Sequence, residues 1–170
     1  MTSFEFDVDI SASAPEVIKA FWELQSWPAL APHVRAMRVH YDDGVVQVVT
    51  MDVLTRGHQT SFKSVRLRSG NCISYIQPEP PPALHAHRGS WTFLTTPGGT
   101  TVTCRHEIEV NHPIARDFLA AAKMITAEEQ VEERMQDVIK SNSLQTILAL
   151  RTSLESQRSR HNAAANQHVA

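Results

Sequence analysis

The sequence has few cysteines and no nucleotide-binding glycine motif, and these shortages exclude several kinds of site. Its 170 residues include 2 cysteines, and Cys72 and Cys104 are too few and too far apart for a disulfide framework or a CxxC site. Gly98 and Gly99 lie in a predicted hairpin and not in a phosphate-binding loop. Because GxSxG and Cys-His nucleophile patterns are also missing, we expect neither covalent catalysis nor a bound cofactor.

The sequence also lacks a block of basic residues and a long apolar run. The 16 basic and 18 acidic residues give a net charge of −2, and no basic cluster is interleaved with aromatics, so nucleic acid is excluded as an expected partner. Acidic residues separate the apolar ones at the N-terminus, which predicts neither a signal peptide nor a membrane span. We therefore expect a cytoplasmic protein without a membrane partner.

From about Ala115 to Glu155 the chain runs without glycine or proline, which predicts one long helix. Apolar residues recur in it at spacings of three and four and form one stripe: Val131, Met135, Val138, Ile139, Ile147, Leu150 and Leu154. Asn142 and Ser143 interrupt that stripe, so they need a partner or a wet cavity. The stripe drifts after Ser141, which indicates either a bend or a second contact surface.

The remaining elements follow from residue periodicity and turn residues. A strand is predicted at Phe4–Ile10, a helix after Ser13, and a second, short helix at Trp27–Leu30. Six further runs are typical of antiparallel strands joined by hairpins: Met37–Tyr41, Val45–Leu54, Thr60–Leu67, Ile73–Gln77, Gly89–Thr95 and Thr101–Val110. These elements predict a single α+β domain over residues 1–156, with the sheet curled around the long helix and a polar, disordered tail at 157–170.

Side chains alternate between the two faces of a strand, so several polar residues are predicted to share faces. One strand puts Thr60, Phe62, Ser64 and Arg66 on the same face. Other strands do the same for His87, Trp91 and Phe93, and for Cys104 and His106. If these faces point inward, hydroxyls, aromatic rings, imidazoles and one guanidinium meet in the interior.

The chain has 9 histidines, which raises the question of a metal site. His85 and His87 could share a strand face, with His106 or His112 completing a ligand set. No HExxH motif and no cluster of cysteines and carboxylates accompanies them. We therefore predict no metal and interpret the histidines as proton carriers or as polar fillers.

Four short motifs carry a resemblance to a known superfamily: Ala14-Pro15 with Val17 and Trp22, then Trp27-Pro28-Ala29-Leu30, Ser64-Val65-Arg66, and Trp91-Thr92-Phe93 followed by Pro97-Gly98-Gly99-Thr100. With the order of elements, they resemble the START-like or birch-pollen-allergen-like (SRPBCC) superfamily, and within it the bacterial polyketide aromatase/cyclases. The resemblance implies the helix-grip fold, in which a curved antiparallel sheet and a long C-terminal helix enclose a hydrophobic cavity.

The resemblance also implies where the site residues lie. The cyclases have a Ser-x-Arg pair that points into the cavity, which corresponds here to Ser64 and Arg66. Their tryptophan before a proline corresponds to Trp27. The chain departs from them at Val34, where they have a tyrosine, and at Thr60 and Phe62, where they have tryptophans. We therefore expect a cavity of different shape.

The function that the resemblance implies is regiospecific aldol cyclisation and dehydration of a poly-β-ketone to an aromatic ring. In this hypothesis Arg66 anchors the developing oxyanion and Ser64 supports it. His87 is the first candidate for a proton carrier that titrates near neutrality, with His33 or His106 second and ordered water as an alternative. The predicted substrate-binding residues are Trp27, His33, Val34, Thr60, Phe62, Trp91, Phe93, Cys104, His106, Met135, Ile139, Asn142 and Ser143.

A second hypothesis is a non-catalytic carrier of hydrophobic or aromatic ligands on the same fold, because fold alone does not give function. The expected partner of the cyclase is a polyketide, with an acyl carrier protein as a possible source of it. Both a monomer and a homodimer are compatible with the sequence.

Overall fold

The computed structural model describes residues 1–124, 127 and 130–167, with side chains described up to residue 160. Seven strands and four α-helices are present in these residues. The strands are β1 Thr2–Ile10, β2 Val34–Asp42, β3 Val46–Thr55, β4 His58–Ser69, β5 Cys72–Glu79, β6 Leu84–Thr96 and β7 Gly99–Val110. The helices are α1 Ala14–Trp22, α2 Trp27–Leu30, α3 His112–Ala121 and α4 Val131–Gln167, with a 3₁₀ turn at Leu24–Ser26 between α1 and α2.

The strands form one antiparallel sheet in the order β1-β7-β6-β5-β4-β3-β2. Every strand from β2 to β7 pairs with its neighbour in the chain, as expected for hairpin connections. The first strand closes the far edge by pairing with β7. The sheet is curved and α4 lies in its concave face, so the predicted α+β helix-grip fold is confirmed.

The two short helices close one end of the curved sheet. Glu16 accepts a hydrogen bond from the Ser13 backbone N–H at 3.0 Å, which fixes the start of α1. Phe21 lies within the core. In α2, Trp27 is 4% exposed and its indole Nε1 donates to the Ala20 carbonyl at 3.0 Å. Both helices were predicted, because proline in the first turn and buried apolar positions mark them in the sequence.

The single long helix predicted from Ala115 is wrong in its first part. Helix α3 starts at His112, and Lys123 adopts a left-handed conformation with φ of 58° just after it ends. Met124 N–H donates to the Leu119 carbonyl at 2.8 Å and Lys123 N–H to the Ala120 carbonyl at 3.0 Å. This pair of bonds is a Schellman motif, which normally uses glycine, so the helix end could not be recognised from the residues at this position.

Helix α4 contributes to two separate apolar clusters. One cluster packs Ile147 and Leu150 against α1, α2 and the sheet. The other packs Val131, Met135 and Val138 against α3 and the ends of β6 and β7. The segment between them carries the predicted polar interruption.

The C-terminal part of α4 extends beyond the expected domain end. The described helix continues to Gln167, whereas a disordered tail was predicted from residue 157. Good helix formers occupy the extension, including Ala163, Ala164 and Ala165. Among the described residues, no helix combines the length and apolar character needed to cross a membrane.

Candidate functional site

An elongated cavity of about 480 Å³ lies between the sheet and helices α3 and α4. Exposed lining residues, including His58, Pro82 and Ile114, mark its opening between the β3–β4 hairpin, the β5–β6 connection and α3. Apolar and aromatic side chains form most of the wall. The volume suits a polycyclic ligand, and pockets of this kind are typical binding sites for small molecules.

Most of the predicted site residues line this cavity. They are Trp27, His33, Thr60, Phe62, Ser64, Arg66, His87, Trp91, His106, Met135, Ile139, Asn142 and Ser143. The alternation in β4 therefore placed its four inward residues correctly, with Arg66 and Ser64 buried. Their chemical roles remain predictions.

Three predicted wall residues lie elsewhere. Val34, Phe93 and Cys104 belong to the apolar cluster beside α1 and are at most 2% exposed. Phe93 packs edge-on against Phe21, with ring centroids 5.1 Å apart. The faces of Phe93 and Cys104 were predicted correctly, but the concave face of the sheet is longer than the cavity. Its end is filled by core packing, which side-chain alternation cannot distinguish from a cavity wall.

The guanidinium of Arg66 occupies an aromatic cage. Its Cζ lies 5.2 Å from the ring centroid of Trp22, 6.0 Å from that of Trp27 and 5.5 Å from that of Trp91. Such contacts stabilise a cation by interaction with the electron-rich ring faces. Although Arg66 is only 2% exposed, it also lines the cavity.

Arg66 also binds the C-terminal end of α1. Its Nη2 donates to the Phe21 carbonyl and its Nη1 to the Trp22 carbonyl at 3.5 Å. These carbonyls belong to the last turn of the helix, where a cation is favoured by the helix dipole. The Nε of Arg66 is buried without a partner among the described residues. The Nε–H is therefore a donor that the described residues leave unused.

A neutral amide is the remaining partner of the guanidinium. Nη1 of Arg66 donates to Gln47 Oε1 at 2.6 Å, and Gln47 Nε2 donates onward to Asp42 Oδ2 at 2.8 Å. Burial lowers the pKa of Arg66 to about 9, and the charge of Asp42 partly opposes that shift. Arg66 therefore stays charged at neutral pH.

Ser64 does not support Arg66 in the way we predicted. Its Oγ donates to the Ile76 carbonyl at 3.5 Å, and the described partners of Arg66 do not include it. The two residues share a strand face, but residues two apart on a strand are separated by a full pleat repeat. The hydroxyl of Ser64 is thus a polar group on the cavity wall that is separate from the contacts of Arg66.

A cluster of Tyr75, His87 and His106 forms a second polar region of the cavity wall. The Tyr75 hydroxyl oxygen lies 3.1 Å from His87 Nε2 and 2.7 Å from His106 Nδ1, and 3.1 Å separates these two nitrogens. His87 Nδ1 lies 3.1 Å from Gln77 Oε1. If that oxygen accepts a hydrogen bond, His87 carries its proton on Nδ1 and its Nε2 can accept another.

Burial keeps both imidazoles neutral at physiological pH. It lowers the pKa of His87 to about 3, with a further contribution from His106. It lowers the pKa of His106 to about 4. Desolvation also lowers the pKa of His33. His87 and His106 therefore do not titrate near neutrality as predicted, because the sequence shows neither burial depth nor the pairing of two imidazoles.

The hydroxyl of Tyr75 fits this cluster because position 89 is glycine. A Cβ added to Gly89 would lie 2.6 Å from the Tyr75 hydroxyl oxygen and would overlap the Arg105 carbonyl. Gly89 on β6 pairs with His106 on the neighbouring strand β7. The missing side chain therefore makes room for the hydroxyl beside the two imidazoles.

The polar interruption of α4 finds partners on the opposite wall. Asn142 Nδ2 donates to Thr55 Oγ1 at 2.7 Å. His33 Nε2 lies 2.9 Å from Thr146 Oγ1, which also donates to the Asn142 carbonyl at 3.3 Å. These bonds connect the middle of α4 to β3 and to the residue before β2. The need for polar partners was predicted, but Thr55 and Thr146 were not.

The histidines do not meet in the arrangement considered for a metal. His85 is exposed and His87 is buried, because the pairing of β6 with β7 shifts between Leu84 and Ala86. Within the described residues, no group of three or more His, Cys, Asp or Glu side chains is arranged to hold a metal ion.

Sequence reasoning missed several residues that complete the site. Gln47, Tyr75 and Gln77 are buried polar residues on strands whose alternation was recognised. Ile73, Tyr75 and Gln77 alternate on one face of β5, so a tyrosine facing inward could have been inferred. Gln47 has no such signal, because its importance depends on contact with a residue on another strand.

Comparison with known proteins identifies the family. The family model described as "Polyketide cyclase / dehydrase and lipid transport" matches residues 1–140. The granaticin polyketide synthase bifunctional cyclase/dehydratase of Streptomyces violaceoruber is 26% identical over 148 residues, which cover 85% of this chain and 45% of that protein. The chain thus spans about half the length of the curated relative that it matches.

Solved structures agree with this assignment. The di-domain ARO/CYC StfQ from the steffimycin biosynthetic pathway has a TM-score of 0.80 at 24% identity, covering 92% of this chain and 52% of its own. The Zhui aromatase/cyclase from Streptomyces sp. R1128 has a TM-score of 0.76 at 21% identity, covering 91% and 93%. These likenesses show the START-like fold. The chain belongs to the polyketide cyclase/dehydrase and lipid transport family.

Proposed function

We propose that this protein is a polyketide aromatase/cyclase that binds a poly-β-ketone in its cavity and directs aldol cyclisation and dehydration to an aromatic ring. The observation that carries the proposal is the buried, charged Arg66, which lines a largely apolar cavity and whose Nε has no partner among the described residues. The names of the relatives, a cyclase/dehydratase and aromatase/cyclases, support the same reaction class. An acyl carrier protein is a plausible source of the substrate.

Arg66 has the properties needed to stabilise an enolate or alkoxide. Its donors are fixed by the carbonyls of Phe21 and Trp22 and by Gln47, so little reorganisation is needed when charge develops on a ligand oxygen. Trp27 and Trp91 also line the cavity and offer flat surfaces for a flat product. The cavity wall sets which carbon atoms meet, and such positioning alone can contribute several kcal/mol.

The cluster of Tyr75, His87 and His106 is suited to moving protons. A neutral imidazole can accept the methylene proton directly or through water, but its lowered pKa makes it a weak base, so stabilisation of the enolate by Arg66 must assist the transfer. Because the pKa values of His87 and His106 are lowered to about 3 and about 4, their protonated forms are strong acids. Such an acid can return the proton to the hydroxyl that leaves as water during dehydration.

The second candidate is a carrier of aromatic ligands. It is favoured by the internal satisfaction of several wall groups, since Asn142, His33 and His87 already have protein partners. A carrier would bind the finished aromatic product and would not change the course of cyclisation.

The experiment compares Arg66→Ala and Arg66→Lys with wild type in the presence of a minimal polyketide synthase. The measured quantity is the ratio of directed to spontaneously cyclised product. Losing an oxyanion donor of this kind costs about 2.7–4 kcal/mol, or roughly a hundredfold to a thousandfold in rate. Lysine keeps the positive charge but lacks the planar guanidinium with its several N–H donors, so Arg66→Lys should retain only part of the activity.

Folding must be measured beside activity, because Arg66 also binds the end of α1. Arg88→Ala is the matched control, since Arg88 is an exposed strand arginine paired with Glu107 on the outer face. It should give the wild-type ratio. A folded Arg66→Ala protein with the wild-type ratio would favour the carrier.

A further inference from the structure

Gln47 separates the buried cation of Arg66 from the carboxylate of Asp42. Its side chain is 2% exposed, accepts from Arg66 at 2.6 Å and donates to Asp42 at 2.8 Å. Asp42 itself is exposed. The amide therefore holds the guanidinium in place without contributing a charge. A glutamate of the same size would have formed a buried ion pair instead.

The other described groups around Arg66 do not neutralise it either. Its remaining contacts are the carbonyls of Phe21 and Trp22 and the faces of three tryptophans. Among the described lining residues, Asp117 is the only carboxylate, and it is exposed. The inner wall therefore presents one positive charge in a poorly solvated space, where its interaction with an anion is stronger than in water.

We propose that the cavity owes its charge preference to the neutrality of residue 47: Gln47 contacts Arg66 without neutralising it, and the cavity selects planar ligands in their ionised enolate or phenolate form. This inference rests on the proposed function and specifies the form of the substrate. On binding, the ligand O–H bond breaks, the proton passes to solvent, and the oxygen keeps the electron pair and faces Arg66. No covalent bond to the protein forms.

The probe is 4-nitrophenol, a planar phenol that ionises near neutral pH and has a yellow anion. Its absorbance is titrated from about pH 5 to about pH 8 with saturating protein, and the pKa of the bound probe is compared with that of the free probe. Within this range Arg66 stays charged and His87 and His106 stay neutral. His33, His58 and Asp117 also line the cavity and are unchanged in every variant, so the comparison among the variants isolates residue 47. The pKa of His33 is also lowered by burial.

Three variants separate charge from structure. Gln47→Glu keeps the size and the acceptor for Arg66 but adds a negative charge. Gln47→Met keeps the length without charge or hydrogen bonds. Gln25→Glu is the matched control, because Gln25 is exposed outside the cavity and receives the same chemical change. Thermal unfolding and circular dichroism establish that each variant is folded.

We expect the wild-type protein to bind the anion at least about tenfold more tightly than the neutral phenol, which lowers the pKa of the bound probe by about one unit or more. Gln25→Glu and Gln47→Met should keep this preference. Gln47→Glu should abolish it. If Gln47→Glu fails to fold, the comparison of wild type with Gln47→Met still decides the question, because loss of the preference in Gln47→Met contradicts the proposal.

An unshifted pKa in the wild-type complex overturns the inference, as does a Gln47→Glu protein with the wild-type preference. Failure of the wild-type protein to bind the yellow anion up to the solubility limit overturns it as well. These results leave the cyclisation assay unaffected, so a protein that directs cyclisation without lowering the probe's pKa contradicts only this inference. A lowered pKa without directed cyclisation supports the inference and contradicts the proposed function.

Discussion

Mild acid should destabilise this protein strongly, because two histidines are buried in neutral form. In the unfolded chain His87 and His106 have an ordinary pKa of 6.5, whereas in the folded protein the values fall to about 3 and about 4. At pH values between the folded and the unfolded pKa, the unfolded state binds more protons than the folded state. Stability from the pair is therefore complete above pH 6.5 and decreases as the pH falls toward the folded values.

The size of the effect follows from the same pKa values. One pH unit in this window corresponds to about 1.4 kcal/mol for each imidazole. From pH 6.5 to about pH 5 the pair should therefore lower the free energy of unfolding by about 4 kcal/mol. That is a large fraction of the roughly 5–15 kcal/mol that stabilises a typical domain.

The assay is urea unfolding at about pH 7.5 and about pH 5, followed by circular dichroism, for wild type and for the double variant His87→Gln, His106→Gln. Glutamine can occupy both positions with hydrogen bonds but does not titrate. The double variant should lose about 4 kcal/mol less than wild type over this interval. Equal losses in the two proteins would refute the argument that these imidazoles are buried and neutral.

Three further predictions concern single positions. Binding of a planar aromatic polyketide should quench or shift the fluorescence of Trp91, because Trp91 borders the cavity. The variant Trp91→Phe should lack this part of the fluorescence change. An unchanged spectrum at saturation would place the ligand elsewhere. Gly89→Ala should lower the free energy of unfolding, measured with urea, by about 1–3 kcal/mol. The added Cβ approaches the Tyr75 hydroxyl, so the substitution should also weaken the Tyr75 cluster. Stability equal to wild type would show that the close approach is absent. Ser13→Ala should lower the free energy of unfolding, measured by thermal unfolding, by about 1 kcal/mol, because the cap of α1 is lost. Ser3→Ala, the control on β1, should lower it by less.

The sequence predicted the elements that have a strong period or turn residues. The alternation in β4 identified the wall residues Ser64 and Arg66, and proline marked the starts of α1 and α2. The end of α3 could not be predicted in this way, because Lys123 takes a backbone conformation that usually requires glycine. Local sequence signals fail where tertiary packing overrides residue preference.

The electrostatic environment of the site was least accessible from the sequence. Arg66 binds Phe21 and Trp22, which lie 45 and 44 residues earlier in the chain. The pKa values of His87 and His106 depend on burial and on each other, which no spacing along the chain reveals. Contacts between distant segments determine both features, so they become visible only in the folded structure.

Helix α4 is held in place by two separate apolar clusters. Val131 and Met135 anchor the start of the helix in one apolar cluster, and Ile147 and Leu150 anchor a later segment in the other. The segment around Asn142 and Ser143 lies between the two clusters, lines the cavity and is held by the hydrogen bond from Asn142 to Thr55. Substitutions at Asn142 and Ser143 can therefore reshape the cavity while the supports remain in place. This separation lets new ligand preferences evolve, or be engineered, without first rebuilding the fold.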